Sequence, residues 1–219
     1  MNSVLINVLV SVPPLLVAIV LHEVAHGYSA WKLGDPTAKV LGRITLNPIK
    51  HIDPVLSILL PGILILSGSP IIFGGAKPVP VNPTYFKNPR QGMAIVALAG
   101  PVTNFILCGI CYFSFLAIIN QNIEDSPMLA LLTIWLLGGI IINLALGLFN
   151  LIPLPPLDGG RIAVGFLPLA IARVWARLEP YGLILIFGLL YLGLPQQILE
   201  PAIEFVTTQL EKNIGPLIP

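Results

Sequence analysis

The chain has 219 residues, of which 56% are hydrophobic and only 10% charged. A water-soluble domain carries about 25% charged residues, so this composition, with a mean hydropathy of +0.92, excludes a soluble enzyme and calls for a lipid bilayer as solvent. The net charge of +1 has no basic run behind it, which excludes nucleic acid as a partner.

Six hydrophobic blocks follow one another. The first runs from about Val4 to Trp31, with Pro13-Pro14 expected to kink it. Met1-Asn2-Ser3 brings no basic n-region and the block runs into His-Glu, so a retained helix is expected rather than a cleaved signal peptide. After the turn signal Gly34-Asp35-Pro36, the apolar residues of Thr37–Leu46 alternate with polar ones, broken only at Leu41. That period of two predicts a β-strand. Pro54–Gly68 is a short second block broken by Pro61-Gly62, and the proline-rich Phe73–Pro83 is expected to be extended. The third block spans about Gln91–Asn120 and the fourth Pro127–Phe149. Cys108 and Cys111, three apart without a second pair, read as core packing. Ile162–Trp175 and Tyr181–Leu194 complete the set, and Gln196–Lys212 reads as an interfacial helix. The expected fold is an all-α polytopic membrane protein of five to six hydrophobic helices, with a small β-strand element and a re-entrant or Pro-rich segment.

The first block carries the chemistry. In Leu21-His22-Glu23-Val24-Ala25-His26, residues four apart share one helix face, so His22 and His26 can hold one metal ion. Glu23, the only acid of the block, is placed to act as general base; this is the H-E-x-x-H arrangement of zinc proteases. A charged group at mid-bilayer costs roughly 2.5–3.5 kcal/mol or more, which makes an intramembrane Glu a functional group by default. A catalytic zinc needs a third protein ligand. His51 sits at the end of a polar loop and Glu200 and Glu204 lie in the tail; Asp158 is the better candidate. It falls in the rigid stretch Asn150–Arg161, rich in proline and glycine, and such backbone is tolerated at membrane depth only where it is buried or lines a wet cavity. Glu204 remains the alternative. Asn143, Gly147 and Asn150 share one helix face, as do Ala97, Gly100 and Asn104.

At His22-Glu23-Val24-Ala25-His26, Ala99-Gly100-Pro101-Val102-Thr103-Asn104 and the Asn150–Gly160 run with its Asp158-Gly159, the chain resembles the site-2 protease family of intramembrane zinc metalloproteases. The match covers about residues 1–165 and looks most like the compact prokaryotic branch without PDZ or CBS domains, which implies a prokaryotic cell membrane. The resemblance implies that His22, His26 and Asp158 bind one zinc ion, that Glu23 is the catalytic acid/base and that Asn150 helps hold substrate. The expectation is a single membrane-embedded metalloprotease domain over residues 1–219, with a core of about 1–165 and C-terminal helices over 166–219. It would cleave a membrane-spanning or membrane-anchored protein. The alternatives are a multi-pass ion transporter and a non-catalytic scaffold.

Basic residues mark the cytoplasmic side. Lys32, Lys39, Arg43 and Lys50 follow the first block, and Arg161, Arg173 and Arg177 the fourth, whereas the loop after the third block has Glu124 and Asp125 and no base. The site is therefore expected toward the cytoplasm. For Asp158 to reach the histidines, residues 52–90 must cross the membrane an even number of times, by re-entry or by a return of the Pro-rich segment.

Overall fold

The computed structural model describes residues 3–67, 74–119 and 126–214. Gly68, Phe73, Asn120, Glu124 and Asp125, which the sequence argument used, lie outside them. Helix α1 spans Ser3–Lys32 and runs unbroken through Pro13 and Pro14. A single turn, α2 (Thr37–Val40), follows, then a wide π-type turn over Pro54–Leu59 that leads into α3, Leu60–Leu66. The long helices α4 (Pro89–Ile119) and α5 (Pro127–Asn150) come next. The chain ends in α6 (Asp158–Phe166), α7 (Leu169–Ala176), α8 (Gly182–Tyr191) and α9 (Leu194–Ile214).

Among the described residues four stretches are long and apolar enough to cross a membrane: Leu9–Lys32, Pro89–Ile119, Pro127–Asn150 and Leu169–Tyr191. The chain is a multi-pass membrane protein. The heart of the fold is a bundle in which α4 packs against α1, α5 and α6. The helices touch through small buried residues, among them Ala18, Ala97, Gly100 and Gly139. Such residues let backbones approach where lipid supplies no hydrophobic drive between helices. Helix α1 is antiparallel to α4, since His26 meets Val96 while Asn104 meets Ala18. Helix α4 is in turn antiparallel to α5, with Phe105 against Gly147 and Cys111 against Gly139. The C-terminal ends of α1 and α5 therefore lie at the same end of the bundle as the start of α4.

The expected β-strand at Thr37–Leu46 is not formed, and among the described residues there is no strand at all. The Asp35 carboxylate accepts from the backbone N–H of Thr37 (2.9 Å) and from its hydroxyl, which starts α2. Gly42, at φ +63°, stops it. The N–H of Gly42 bonds the Lys39 carbonyl and that of Arg43 bonds the Ala38 carbonyl, the paired bonds of a Schellman cap. The alternation marked no buried face: Val40, Leu41 and Leu46 are exposed, while Ala38 and Arg43 are buried.

The even crossing is made by re-entry. Pro54–Leu66 rises at most about 20 Å at helical rise, short of the roughly 30 Å hydrocarbon core. By Gly75 the chain is back beside its start, where the Gly75 N–H bonds the Leu56 carbonyl (3.0 Å) and Ser57 Oγ donates to the Gly75 carbonyl (2.6 Å). The tail forms the expected helix, but α9 also seats Leu210 and Val206 against Phe115 and Ile140 of the bundle.

Candidate metal centre

His22 and His26 share one face of α1, and their Nε2 atoms lie 3.0 Å apart. Asp158, the first residue of α6, brings Oδ2 to 3.1 Å from His22 Nε2 and 3.3 Å from His26 Nε2. All three side chains are buried. The loop from Leu151 to Leu157 delivers the carboxylate by folding α6 back upon itself. A Cβ at Gly159 would run into the carbonyls of Leu151 and Ile152, so only glycine permits that return. Arg90 then anchors the far end of α6 by donating to the carbonyls of Val164, Gly165 and Leu167.

The protonation pattern follows from groups that can only accept. The Gly139 carbonyl takes a bond from Asn143 Nδ2 (2.8 Å), so Asn143 presents Oδ1 to Asn104 Nδ2 (2.9 Å). Asn104 Oδ1 therefore faces His22 Nδ1 at 2.6 Å and takes its proton. His26 Nδ1 likewise donates to the Val96 carbonyl at 2.7 Å. With both Nδ1 atoms acting as donors, both Nε2 atoms present bare lone pairs. The Asp158 Oδ2 atom between them is buried and receives no hydrogen bond. With neutral rings and an ionised carboxyl the three atoms are all acceptors, a ligand set that would suit one shared cation. Ligand atoms 2.0–2.1 Å from a tetrahedral zinc lie about 3.3 Å from one another, and the three observed separations match that spacing. The residues fit a metal ion.

Glu23 stands beside this triangle: one of its carboxylate oxygens and a ligating nitrogen of each histidine lie within 4.8 Å of one another. Its Oε2 accepts the Val79 N–H at 2.9 Å. Val79 belongs to a strap without helix or strand, residues 74–82, and seats it against α1 at Glu23 and Gly27. The strap is held at Lys77, whose N–H bonds the His51 carbonyl (2.8 Å) and whose carbonyl accepts from Arg43 Nη2 (2.9 Å). It is held again at Asn82, whose N–H bonds Asp35 Oδ2 (2.6 Å).

The other candidates fall elsewhere. His51 is buried but gives Nε2 to the Thr45 carbonyl, away from the cluster. Glu200 and Glu204 are exposed on α9. Asn150 closes α5 with Nδ2 bonded to Leu146 of its own helix (3.0 Å) and makes no bond to the cluster among the described residues. Asn104 and Asn143, which the sequence marked only as polar positions on helix faces, turn out to orient a ligand. The Val79 N–H had no signature in the sequence, because a backbone donor carries none.

Residues 117–190 match the family model described as peptidase family M50. A protein of Bacillus subtilis named "Putative zinc metalloprotease YwhC" is 41% identical over 198 residues, which cover 87% of this chain and 84% of that protein. The chain belongs to peptidase family M50. It is therefore a peptidase, as the sequence resemblance implied. "Putative zinc metalloprotease Rip2" of Mycolicibacterium smegmatis is 30% identical over 80% of this chain and 64% of its own length. "Zinc metalloprotease MJ0392" of Methanocaldococcus jannaschii is 32% identical over 68% of the chain and 31% of its own length. No solved structure matches the chain.

Proposed function

We propose that this M50 member is a zinc-dependent intramembrane endopeptidase that cleaves a membrane-spanning or membrane-anchored protein near the cytoplasmic face of a prokaryotic cell membrane. The convergence of His22 Nε2, His26 Nε2 and Asp158 Oδ2 within 3.0–3.3 Å carries this reading. These three residues would hold the ion. When bound, zinc polarises a peptide carbonyl and lowers the pKa of water to about 7. Glu23 takes the proton of the attacking water and returns it to the leaving amine. The Val79 N–H occupies Oε2 and so keeps the other oxygen turned toward the reaction. Asn150, at the mouth of the Asp158 loop, holds the substrate backbone.

A cavity of about 630 Å³ supports a route to the site from the basic end of the bundle. Its walls include Val79 and Pro80 of the strap, Met93 of α4, Pro155, and Gly160 and Val164 of α6. Val79 bonds Glu23 and Gly160 lies two residues past Asp158, so the cavity adjoins the site without being lined by its ligands. An unwound peptide and water could both enter there. All the proposed site residues fall within residues 1–165, and α9 packs on that core through Leu210 and Val206.

The test uses purified full-length protein and the membrane fraction of cells that lack it, with new peptide termini mapped by mass spectrometry. The wild type is expected to create termini at or near membrane segments. Glu23→Gln is expected to keep its zinc and create none, while Asp158→Ala is expected to lose the zinc. Full zinc content in Asp158→Ala would overturn the ligand set, and cleavage by Glu23→Gln would overturn the role of the base.

A further inference from the structure

The outer face of α1 holds a second constellation, remote from the metal centre. Val17, Leu21, Val24, Tyr28 and Trp31, with Lys32 beside it, recur at helical spacing along one stripe. At its upper end Lys39 Nζ sits 4.0 Å over the Trp31 ring, and Lys32 Nζ lies 5.2 Å from the Trp31 and 5.3 Å from the Tyr28 centroid. The two rings meet edge to face at 5.8 Å. Neither ammonium has a carboxylate partner: among the described residues the ion pairs are those of Asp158 with the histidines and of Arg161 with Glu179. Two cations are thus held on one aromatic platform with donors left over and no counter-ion.

At the lower end of the stripe lies an apolar groove of about 260 Å³ lined by Leu16, Val17, Val20, Leu21, Leu46 and Pro48. Helical rise puts its middle about 20 Å below the ammonium pair. One leaflet of hydrocarbon is about 15 Å deep, and Leu21 lies about 16 Å below Lys32 at helical rise, so an acyl chain whose head group stands at the level of Lys32 ends at the upper rim of the groove. We propose that this face is a binding site for one anionic phospholipid. Its phosphate sits between Lys32 and Lys39, Tyr28 and Trp31 flank the head group, and one acyl chain runs down the Val24–Leu21 part of the stripe to the rim of the groove. The charge decides the occupant. A purely apolar helix would leave the two ammoniums uncompensated, whereas a lipid phosphate at that depth pairs with both.

The experiment is independent of catalysis. The full-length protein is placed in nanodiscs of phosphatidylcholine mixed with phosphatidylglycerol, with bromine on the acyl chains of one lipid or the other. Quenching of tryptophan fluorescence is read, with Trp31→Phe defining the contribution of Trp31. Brominated phosphatidylglycerol is expected to quench Trp31 more strongly. Each of Lys32→Gln and Lys39→Gln is expected to lower the preference roughly fivefold, as about 1 kcal/mol per interfacial lysine implies. Lys50→Gln, a lysine of the same side without an aromatic partner, is expected to leave it unchanged. Zinc content and circular dichroism confirm that each variant is folded.

Equal quenching by the two lipids would overturn the proposal, as would a preference that survives the double variant. Inorganic phosphate abolishing the preference where sodium chloride of the same ionic strength does not would assign a free-anion site instead. A designed Leu/Ala helix displacing both lipids alike would assign the face to a protein segment.

Discussion

The two residues that most constrain the metal centre ligate nothing. Asn104 fixes the proton of His22 on Nδ1, and its own orientation passes through Asn143 to the Gly139 carbonyl. Outer partners of this kind are worth 10–100-fold in metal affinity. Asn104→Ala is therefore expected to weaken zinc binding by about that factor in a chelator competition, with helical content unchanged. Gly100 acts by its size. A Cβ there would stand 2.6 Å from Nε2 of His22 and from Cε1 of both histidines, so Gly100→Ala must push the rings off the ion. Overpacking in a tight core costs about 1–3 kcal/mol, which the long helices can absorb while the site cannot. The expected outcome is a folded protein that elutes without zinc; normal metal content would refute the steric argument. His22, Glu23 and His26 were legible because one helix turn fixes their geometry. Asp158 was legible because prolines and glycines around an acid announce buried irregular backbone. The asparagine relay was not: it joins three helices, and no local spacing encodes which faces meet.

At the scale of elements, the misread strand and the strap have a common origin. Alternation over Thr37–Leu46 predicted extended backbone, but the Asp35 cap and Gly42 fold that stretch into a turn. Residues 74–82 instead form no helix or strand, as Pro78 and Pro80 forbid helix. The long helices α1, α4 and α5 were readable from hydropathy, since every lipid-facing backbone group must be satisfied within its own segment. The expected block Ile162–Trp175, by contrast, is divided between α6 and α7 at Leu167-Pro168, and four described stretches, not five to six, are long enough to span. The excursion at Pro54–Leu66 was too short for hydropathy to decide. The strap gives Glu23 its fixed orientation, and Arg43 gives the strap its anchor. A hydrogen bond from a charged group is worth about 1.5–3 kcal/mol, and 1.4 kcal/mol of lost alignment is about tenfold in rate. Arg43→Ala is thus expected to lower kcat about tenfold or more on a substrate found by terminus mapping, with zinc content unchanged and Arg43→Lys restoring part of the loss. An Arg43→Ala enzyme with unchanged kcat would show that the strap is positioned by its other ties.

For the whole molecule, charge and catalysis demand the same topology for unrelated reasons. The ligands can meet only if α1 and α5 end on one side, because His26 lies near the end of α1 and Asp158 lies just past the end of α5. Lys32, Lys39 and Arg161 lie at that same end, Lys39 over Trp31 and Arg161 in the first turn of α6, as insertion by the positive-inside rule requires. The re-entrant Pro54–Leu66 reconciles the two demands, since a full crossing there would put the acid and the histidines on opposite faces. Labelling can separate this arrangement from any other. In a Cys108→Ser/Cys111→Ser background, single cysteines at the exposed positions Lys50 and Arg173 are expected to react with a membrane-impermeant maleimide from the cytoplasmic side. A cysteine at Met128, which is 83% exposed at the start of α5, is expected to react only from the other side. Labelling of Lys50→Cys and Arg173→Cys from opposite faces would leave the three ligands unable to share one ion in the membrane.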